Sequence, residues 1–309
     1  MTHHLNRRSA IAALTGLGAA ALIHPTPARA ASPDRKRALR VAHITDCHLD
    51  GRPGSLEGVT RAFRHIHTLP DPVDLIINTG DTVFCINEVD RNEADRQWKL
   101  WTDVLKAECR LPVMHAIGNH DCWSFTPPSP DNPMCGKGMV IDILNLPGRY
   151  YRRSISGWHL IALDSIMGGY VGRLDDEQFE WLKSELAAIP DNQPVCIVNH
   201  IPIVSASGYF LGDRFKNGHW DVPGSWMHED AARLNNLFIQ HPNVRVCLSG
   251  HMHQVDRIDF NGVSYLCGGA VSGNWWDGKY YQCDYGYETI DLYDDGSFER
   301  QYINYADPG

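Results

Sequence analysis

From residue 39 onward the chain alternates short apolar runs with segments whose apolar residues recur three or four positions apart. Residues 39–45 (LRVAHIT), 73–79 (VDLIINT), 111–117 (LPVMHAI), 194–199 (PVCIVN) and 243–249 (NVRVCLS) have the length and composition of buried strands. Between them lie helix-compatible stretches near 55–69, 89–109 and 228–240. A fourth places Phe179, Leu182, Leu186 and Ile189 at helical spacing behind a capping Asp175. Tyr150–Arg153 and Trp158–Asp164 read as a hairpin around Ser154–Gly157. Beyond residue 255, strands are punctuated by Asn261-Gly262 and Asp295-Gly296, dipeptides that favour tight hairpin turns. Alternation that closes in hairpins predicts an α/β (α+β) fold of layered sheets covered by helices. Two stretches break the pattern: 122–149, rich in Pro, Gly and Met, and 203–227, rich in Gly and aromatics. Loops of that length are more often functional than structural. No repeat or linker divides the chain, so 31–309 is expected to form one domain.

The first thirty residues stand outside this pattern. Arg7-Arg8 precedes a run, Ser9–Ile23, of Ala, Leu, Ile, Gly, Ser and Thr, and Ala28-Arg29-Ala30 resembles a cleavage site. The run is shorter than the roughly 18 residues of a spanning helix. It reads as an export signal resembling the twin-arginine type, with Ser9-Ala10-Ile11-Ala12 in place of the usual Phe-Leu-Lys. The expected location is periplasmic or secreted, with no transmembrane segment left after cleavage.

Composition narrows the field further. The 309 residues carry 28 Lys+Arg against 37 Asp+Glu, a formal net charge of −9, so the chain is not a strongly basic nucleic-acid binder. Removing the leader takes away Arg7, Arg8 and Arg29 and no acid, leaving the remainder more acidic still. Nine cysteines are too few for a disulfide-dense scaffold, and an odd number leaves at least one free thiol. Cys196, Cys247 and Cys267 lie in apolar runs and are expected to be buried. Cys122 and Cys135, flanking a Pro-rich loop, are the pair best suited to a bridge. No C-x-x-C occurs, which argues against a thiolate zinc cluster.

The placement of ligand-type side chains points to a chemistry. LRVAHIT is followed by Asp46-Cys47-His48, LIINTG by Asp81, VMHAIG by Asn119-His120-Asp121, VCIVN by His200, and VCLSG by His251-Met252-His253. Five strand-like runs thus each deliver such a residue at the C-terminal end, where ligands gather in open α/β sheets. Carboxylate, amide oxygen and imidazole together suit Zn, Mn or Fe. Seven donors are too many for one tetrahedral site and suit two ions sharing a carboxylate. Among the other histidines, His43 and His115 sit inside strands and are expected in the core. His65, His67, His159 and His241 are expected at the surface or in packing, and His219 and His228 flank the aromatic loop as open substrate contacts.

In this order, Asp46-Cys47-His48, Gly80-Asp81, Gly118-Asn119-His120-Asp121, Asn199-His200 and Gly250-His251-Met252-His253 resemble the five blocks of the calcineurin-like metallophosphoesterases. The blocks span about two thirds of the chain. The resemblance implies a four-layer α/β/β/α sandwich with a dinuclear centre at the strand ends. It implies one ion on Asp46, His48, Asp81 and His253, and another on Asp81, Asn119, His200 and His251, with Asp81 as bridge. A metal-bound hydroxide would then attack a phosphate ester without a Ser or Cys nucleophile. His120, matching the family's non-ligand histidine, would lie over the phosphate with Asn119 and aid the leaving group. Asp121 would orient its imidazole or accept from a ligand histidine.

Departures from related branches sharpen the expectation. Where purple acid phosphatases carry a tyrosinate ligand this chain has Phe84, which excludes that chromophore. Gly80-Asp81-Thr82-Val83-Phe84-Cys85-Ile86 lacks the arginine of the protein Ser/Thr phosphatases. The 55 residues after Gln254 leave no room for the large C-terminal domain of bacterial 5′-nucleotidases. The compact cyclic-nucleotide and glycerophosphodiester phosphodiesterases remain the nearest likeness. The segment Gly268–Gly278 contains Trp275 and Trp276, of which one is expected to pack and the other to line the site, stacking on a base or covering a sugar. Tyr209, Phe210 and Trp220 are weaker candidates for the same wall. The expected function is hydrolysis of a small phosphodiester rather than a nucleic-acid polymer. A broad-specificity phosphomonoesterase and a non-catalytic metal- or partner-binding protein are the alternatives, and the complete ligand set with His120 opposes the latter.

Overall fold

A computed structural model describes residues 32–124, 132–168 and 171–306; the expected export signal lies outside them. In chain order the first part runs β1 (Arg37–Ile44), α1 (Pro53–Thr68), β2 (Leu75–Asn78), α2 (Arg91–Glu108), β3 (Val113–His115), α3 (Gly138–Ile143), β4 (Tyr151–Ile155) and β5 (Trp158–Ala162). A small ribbon of β6 (Ile166–Met167) and β7 (Val171–Gly172) leads to α4 (Asp176–Ala188) and β8 (Val195–Val198). A second ribbon, β9 (Phe215–Lys216) and β10 (His219–Trp220), precedes α5 (Ala231–Ile239), β11 (Val244–Ser249), β12 (Asp256–Phe260), β13 (Val263–Cys267), β14 (Gly286–Tyr293) and β15 (Phe298–Asn304).

Two mixed sheets result, in the orders β15-β14-β1-β2-β3 and β12-β13-β11-β8-β5-β4. The five ligand-bearing runs lie in the parallel parts: β1, β2 and β3 in one sheet, and β8 and β11, flanked by the parallel β5 and β13, in the other. Strand alternation sets the layers. Leu39, Val41, Leu75 and Ile77 face Leu160, Ala162, Cys196, Val198 and Leu248 of the opposite sheet. Ala42, Ile44 and Ile76 turn the other way, onto Phe63 and Ile66 of α1 and Trp98 and Trp101 of α2. Ile161, Val195, Ile197 and Cys247 turn onto Leu182 and Leu186 of α4 and Leu234 and Phe238 of α5. The order is helix, sheet, sheet, helix, as expected.

Local chemistry fixes the boundaries. Asp90 and Asp175 accept from the amides of Glu93 and Gln178, each at 2.9 Å, so α2 and α4 start one residue after their caps. The run 111–117 shortens to three residues because β3 is an edge strand with β2 as its single neighbour. Residues 122–149, expected as loop, contain α3, whose Met139 and Val140 are buried against the α1–α2 layer. Among the described residues no helix is long and apolar enough to cross a membrane.

The expected Cys122–Cys135 bridge is corrected: all nine cysteines are free. Trp123 and Gly136 form an antiparallel bridge with reciprocal amide bonds of 3.0 and 2.6 Å. That register puts Cys122 and Cys135 out of step with each other, and the buried Cys122 Sγ points to the Gly118 carbonyl at 3.6 Å. Cys196, Cys247 and Cys267 are buried as expected. Leu160→Ala, between the sheets, is expected to cost about 2–5 kcal/mol, read as a lowered urea midpoint with an unchanged denaturant slope.

Candidate metal centre

The loops after β1, β2, β3, β8 and β11 converge on one edge of the sandwich. Their backbones are strained there: Asp46, His48, Asp81, His251 and His253 have φ of 51°, 42°, 50°, 69° and 52°. Non-glycine residues occupy this left-handed region at a cost of order 1–3 kcal/mol each, and such outliers persist where the surroundings over-determine them. Bracing is visible: Asp46 N–H donates to the Gly80 carbonyl at 2.9 Å, His48 N–H to Asp81 at 3.0 Å, and Gly250 N–H to His200 at 3.0 Å. Two glycines make the approach possible. A Cβ on Gly118 would strike the Asp81 backbone, and one on Gly250 would strike Thr45 and the Asp46 carboxylate.

The expected donor residues are brought together. His253 Nε2 lies 3.3 Å from Asp46 Oδ1 and 3.1 Å from His48 Nε2, which is 3.8 Å from Asp81 Oδ2. On the other side of Asp81 Oδ2, His200 Nε2 is at 3.2 Å, and it faces Asn119 Oδ1 at 3.0 Å and His251 Nδ1 at 3.2 Å. Two donor groups therefore meet at one carboxylate oxygen. The remaining ring nitrogen of each imidazole faces a backbone carbonyl: His48 Nδ1 to Phe84 (3.2 Å), His253 Nδ1 to Gly273 (2.7 Å), His200 Nδ1 to Thr79 (3.0 Å) and His251 Nε2 to Ser225 (3.0 Å). Donation to a carbonyl fixes the tautomer and leaves the inward nitrogen with a free lone pair, the usual support of a metal-binding histidine.

The electrostatics fit a cation. Burial alone would push Asp46 and Asp81 upward. The imidazoles beside them, His253 and His200 at Asp46 and His200 and His120 at Asp81, outweigh burial and hold both below the usual carboxylate range. Burial lowers His48 to about 3 and, with the charge of His200, His251 to about 4. Against burial, Asp81 raises His200 to about 9. Asp46 Oδ2 accepts from the Thr45 hydroxyl at 2.6 Å and the His251 amide at 2.9 Å, whereas Oδ1 is buried without a hydrogen-bond partner. An ionised oxygen left bare among inward lone pairs is a site for a positive ion.

The other expected residues divide. His120 Nε2 lies 3.9 Å from Asp81 Oδ2, and its side chain is 29% exposed. Its ring borders a cavity of about 600 Å³ between Phe84, Cys85, Val89 and Asn119. Asp121 does not orient that ring. Its buried carboxylate accepts from the Thr82, Val83 and Gly118 amides at 2.8, 3.2 and 2.9 Å, locking the Asp81 loop to the Gly118 turn. Trp275 lies beside the donors, 4.3 Å from the His253 ring and 5.6 Å from His48. Trp276 turns away from the donors, donating to the Cys47 and His48 carbonyls and stacking on Tyr285, so it supports the loop. Tyr209, Phe210 and Trp220 are exposed on the 203–227 loop, His219 is exposed with them, and His228 is buried against Asp230. Sequence reasoning missed Cys85, whose thiol lies beside His120, and Thr45, which no motif flags.

Comparison with known proteins agrees with this geometry. Residues 39–255 match the calcineurin-like phosphoesterase family. The chain is 24% identical over 290 residues to the 3′,5′-cyclic adenosine monophosphate phosphodiesterase CpdA of Escherichia coli (strain K12), covering 87% of this chain and 90% of that protein. It is 26% identical over 245 residues to a 3′,5′-cyclic-nucleotide phosphodiesterase of Nostoc, covering 75% and 78%. A dimetal phosphatase from Danio rerio has the same fold, with a TM-score of 0.57 at 14% identity over 87% of this chain and 100% of that one. The chain belongs to the calcineurin-like phosphoesterase family and is a metal-dependent phosphoric ester hydrolase.

Proposed function

We propose that this protein hydrolyses a small phosphodiester at a two-ion centre. Asp46, His48, Asp81 and His253 would hold one ion, and Asp81, Asn119, His200 and His251 the other. The observation that carries this reading is the pair of donor groups meeting at Asp81 Oδ2, with four imidazoles turned inward by backbone carbonyls. When bound, the two ions supply Lewis-acid charge to the phosphoryl oxygens and activate water at neutral pH, as Zn, Mn or Fe do on such ligands.

The chain's own residues supply the rest. His120 stands at the mouth of the cavity, free to protonate the departing alkoxide, and the Asp81 carboxylate favours its charged form. Its backbone is held on both sides: the His120 amide donates to Asp81 Oδ1 at 2.8 Å, and its carbonyl accepts from the Ile86 amide at 3.1 Å. One substituent of the ester finds room in the cavity beside His120. The activities named for the CpdA and Nostoc relatives favour a diester over a monoester. We further infer export, on the strength of Arg7-Arg8 and the apolar run behind it. Replacing both arginines by lysine is expected to retain the protein in the cytoplasm, read by cell fractionation.

Asp81→Asn is expected to lose most bound metal, whereas His120→Ala should keep about two ions per chain and lose 10²–10⁴-fold in kcat on bis(p-nitrophenyl) phosphate. Protein with two ions that turns over no mono- or diester would sink the proposal. In the metal-free protein, His200 and His120 near 9 make the folded state bind more protons than the unfolded chain above about 6.5, so their stabilisation fades as pH rises to 9. His251 and His48, near 4 and 3, reverse the sign below about 6.5, so stability there falls as pH drops. Thermal melts of stripped protein across this range should therefore peak near pH 6.5, and a melting temperature that climbs steadily to pH 9 contradicts the assignment.

A further inference from the structure

Behind the centre runs a line of buried side chains that hydrolysis does not use. Glu288 sits within β14 with no exposed side-chain surface, among apolar neighbours such as Tyr287 and Ile290. A carboxylate at that depth is unfavourable unless partnered, and a well-packed apolar residue would serve stability as well or better. Arg300 of β15 covers one oxygen, with Nε donating to Oε1 at 2.8 Å. The same guanidinium donates to the Asp256 and Cys267 carbonyls of the other sheet at 2.7 and 2.8 Å. The second oxygen, Oε2, faces His43 Nδ1 at 3.1 Å, and His43 Nε2 faces the Thr79 hydroxyl at 3.0 Å. One arrangement satisfies both ends of the ring: Nδ1–H donates to Glu288, and the Thr79 hydroxyl donates to Nε2. The ring is walled in, since a Cβ on Gly268 would come within 2.8 Å of His43 Cε1.

The line ends at the metal centre. The Thr79 carbonyl accepts from His200 Nδ1 at 3.0 Å, and His200 Nε2 is the nitrogen 3.2 Å from Asp81 Oδ2. We propose that Glu288, His43 and Thr79 are positioning residues. They fix the Thr79 carbonyl, and through it the tautomer and ring angle of His200, so that the ion on the His200 side binds tightly. This rests on the reading of His200 as a metal ligand.

Full-length protein, stripped of metal and titrated with Co²⁺, tests it by visible absorption and calorimetry. Thr79→Val keeps the side-chain shape and removes only the hydroxyl. It is expected to weaken one of two binding events about three- to tenfold, and His43→Phe about tenfold or more, with the other event unchanged. The metal-free melting temperature of Thr79→Val should stay within about two degrees of the parent, and Glu288→Gln should retain more affinity than Glu288→Leu because it keeps an acceptor for Nδ1–H. Unchanged affinity in Thr79→Val and His43→Phe overturns the proposal. Equal weakening of both events with a parallel fall in metal-free stability also overturns it, by assigning the line to folding alone. A parent that binds fewer than two ions, or a His200→Ala that leaves both events intact, overturns the ligand reading instead.

Discussion

Two carboxylates, Asp46 and Asp81, are buried within reach of the same imidazoles, and the rest of the architecture answers to that concentration of charge. Negative charge at that depth is tolerated only beside positive charge. Parallel strands of two sheets must end on one edge, their loops must enter left-handed backbone, and glycine must stand wherever two loops touch. Gly118 and Gly250 belong to the motifs for this reason: each has the space of a hydrogen atom, because Asp81 at Gly118, and Thr45 with the Asp46 carboxylate at Gly250, fill what would have been the side chain's volume.

The strand ends were readable because their information is local. An apolar run followed directly by Asp, His or Asn states both the element and the place where it stops: β1, β2, β8 and β11 end within a residue of where the text of the chain implies, and only the edge strand β3 stops earlier. Pairings across the fold were not readable. Asp121 adjoins His120 in sequence, yet its carboxylate is turned toward three amides, two of them 38 and 39 residues away. Trp275 and Trp276 are equivalent on paper. Both take positive φ, 48° and 76°, and that twist sends one indole to the donors and the other under α1, over Gly58. Cys122 and Cys135 flank a loop as bridged cysteines do, but a two-residue ladder sets their register. Glu288 carried no local signal: β14 reads Gly-Tyr-Glu-Thr-Ile-Asp-Leu-Tyr, with Asp291 as a second acid, and only the fold separates the buried acid from the one paired with Arg40.

Position 84 shows how backbone and side chain can trade roles. Phe84 offers no side-chain ligand, and its ring sits under the Arg52 guanidinium at 5.0 Å. Its carbonyl nevertheless holds His48 Nδ1, so the residue serves the site through an atom that every amino acid carries. The same holds at Thr79, Ser225 and Gly273. Four imidazoles are aimed by main-chain oxygens, which makes backbone position the sensitive variable at these places, and at Thr79 the hydroxyl bonded to His43 helps to set it.

His251 differs from the other three in facing inward through Nδ1, with Nε2 tied to the Ser225 carbonyl. Ser225 lies in the long 203–227 loop, whose Leu211 and Trp226 pack on Met252 between the two histidines and whose aromatic tip stands in solvent. A surface segment is thus bolted to one imidazole of the centre. His251 is therefore the imidazole of the four whose supporting carbonyl comes from this long surface loop, so the main chain that aims it is also the main chain that carries the exposed aromatics.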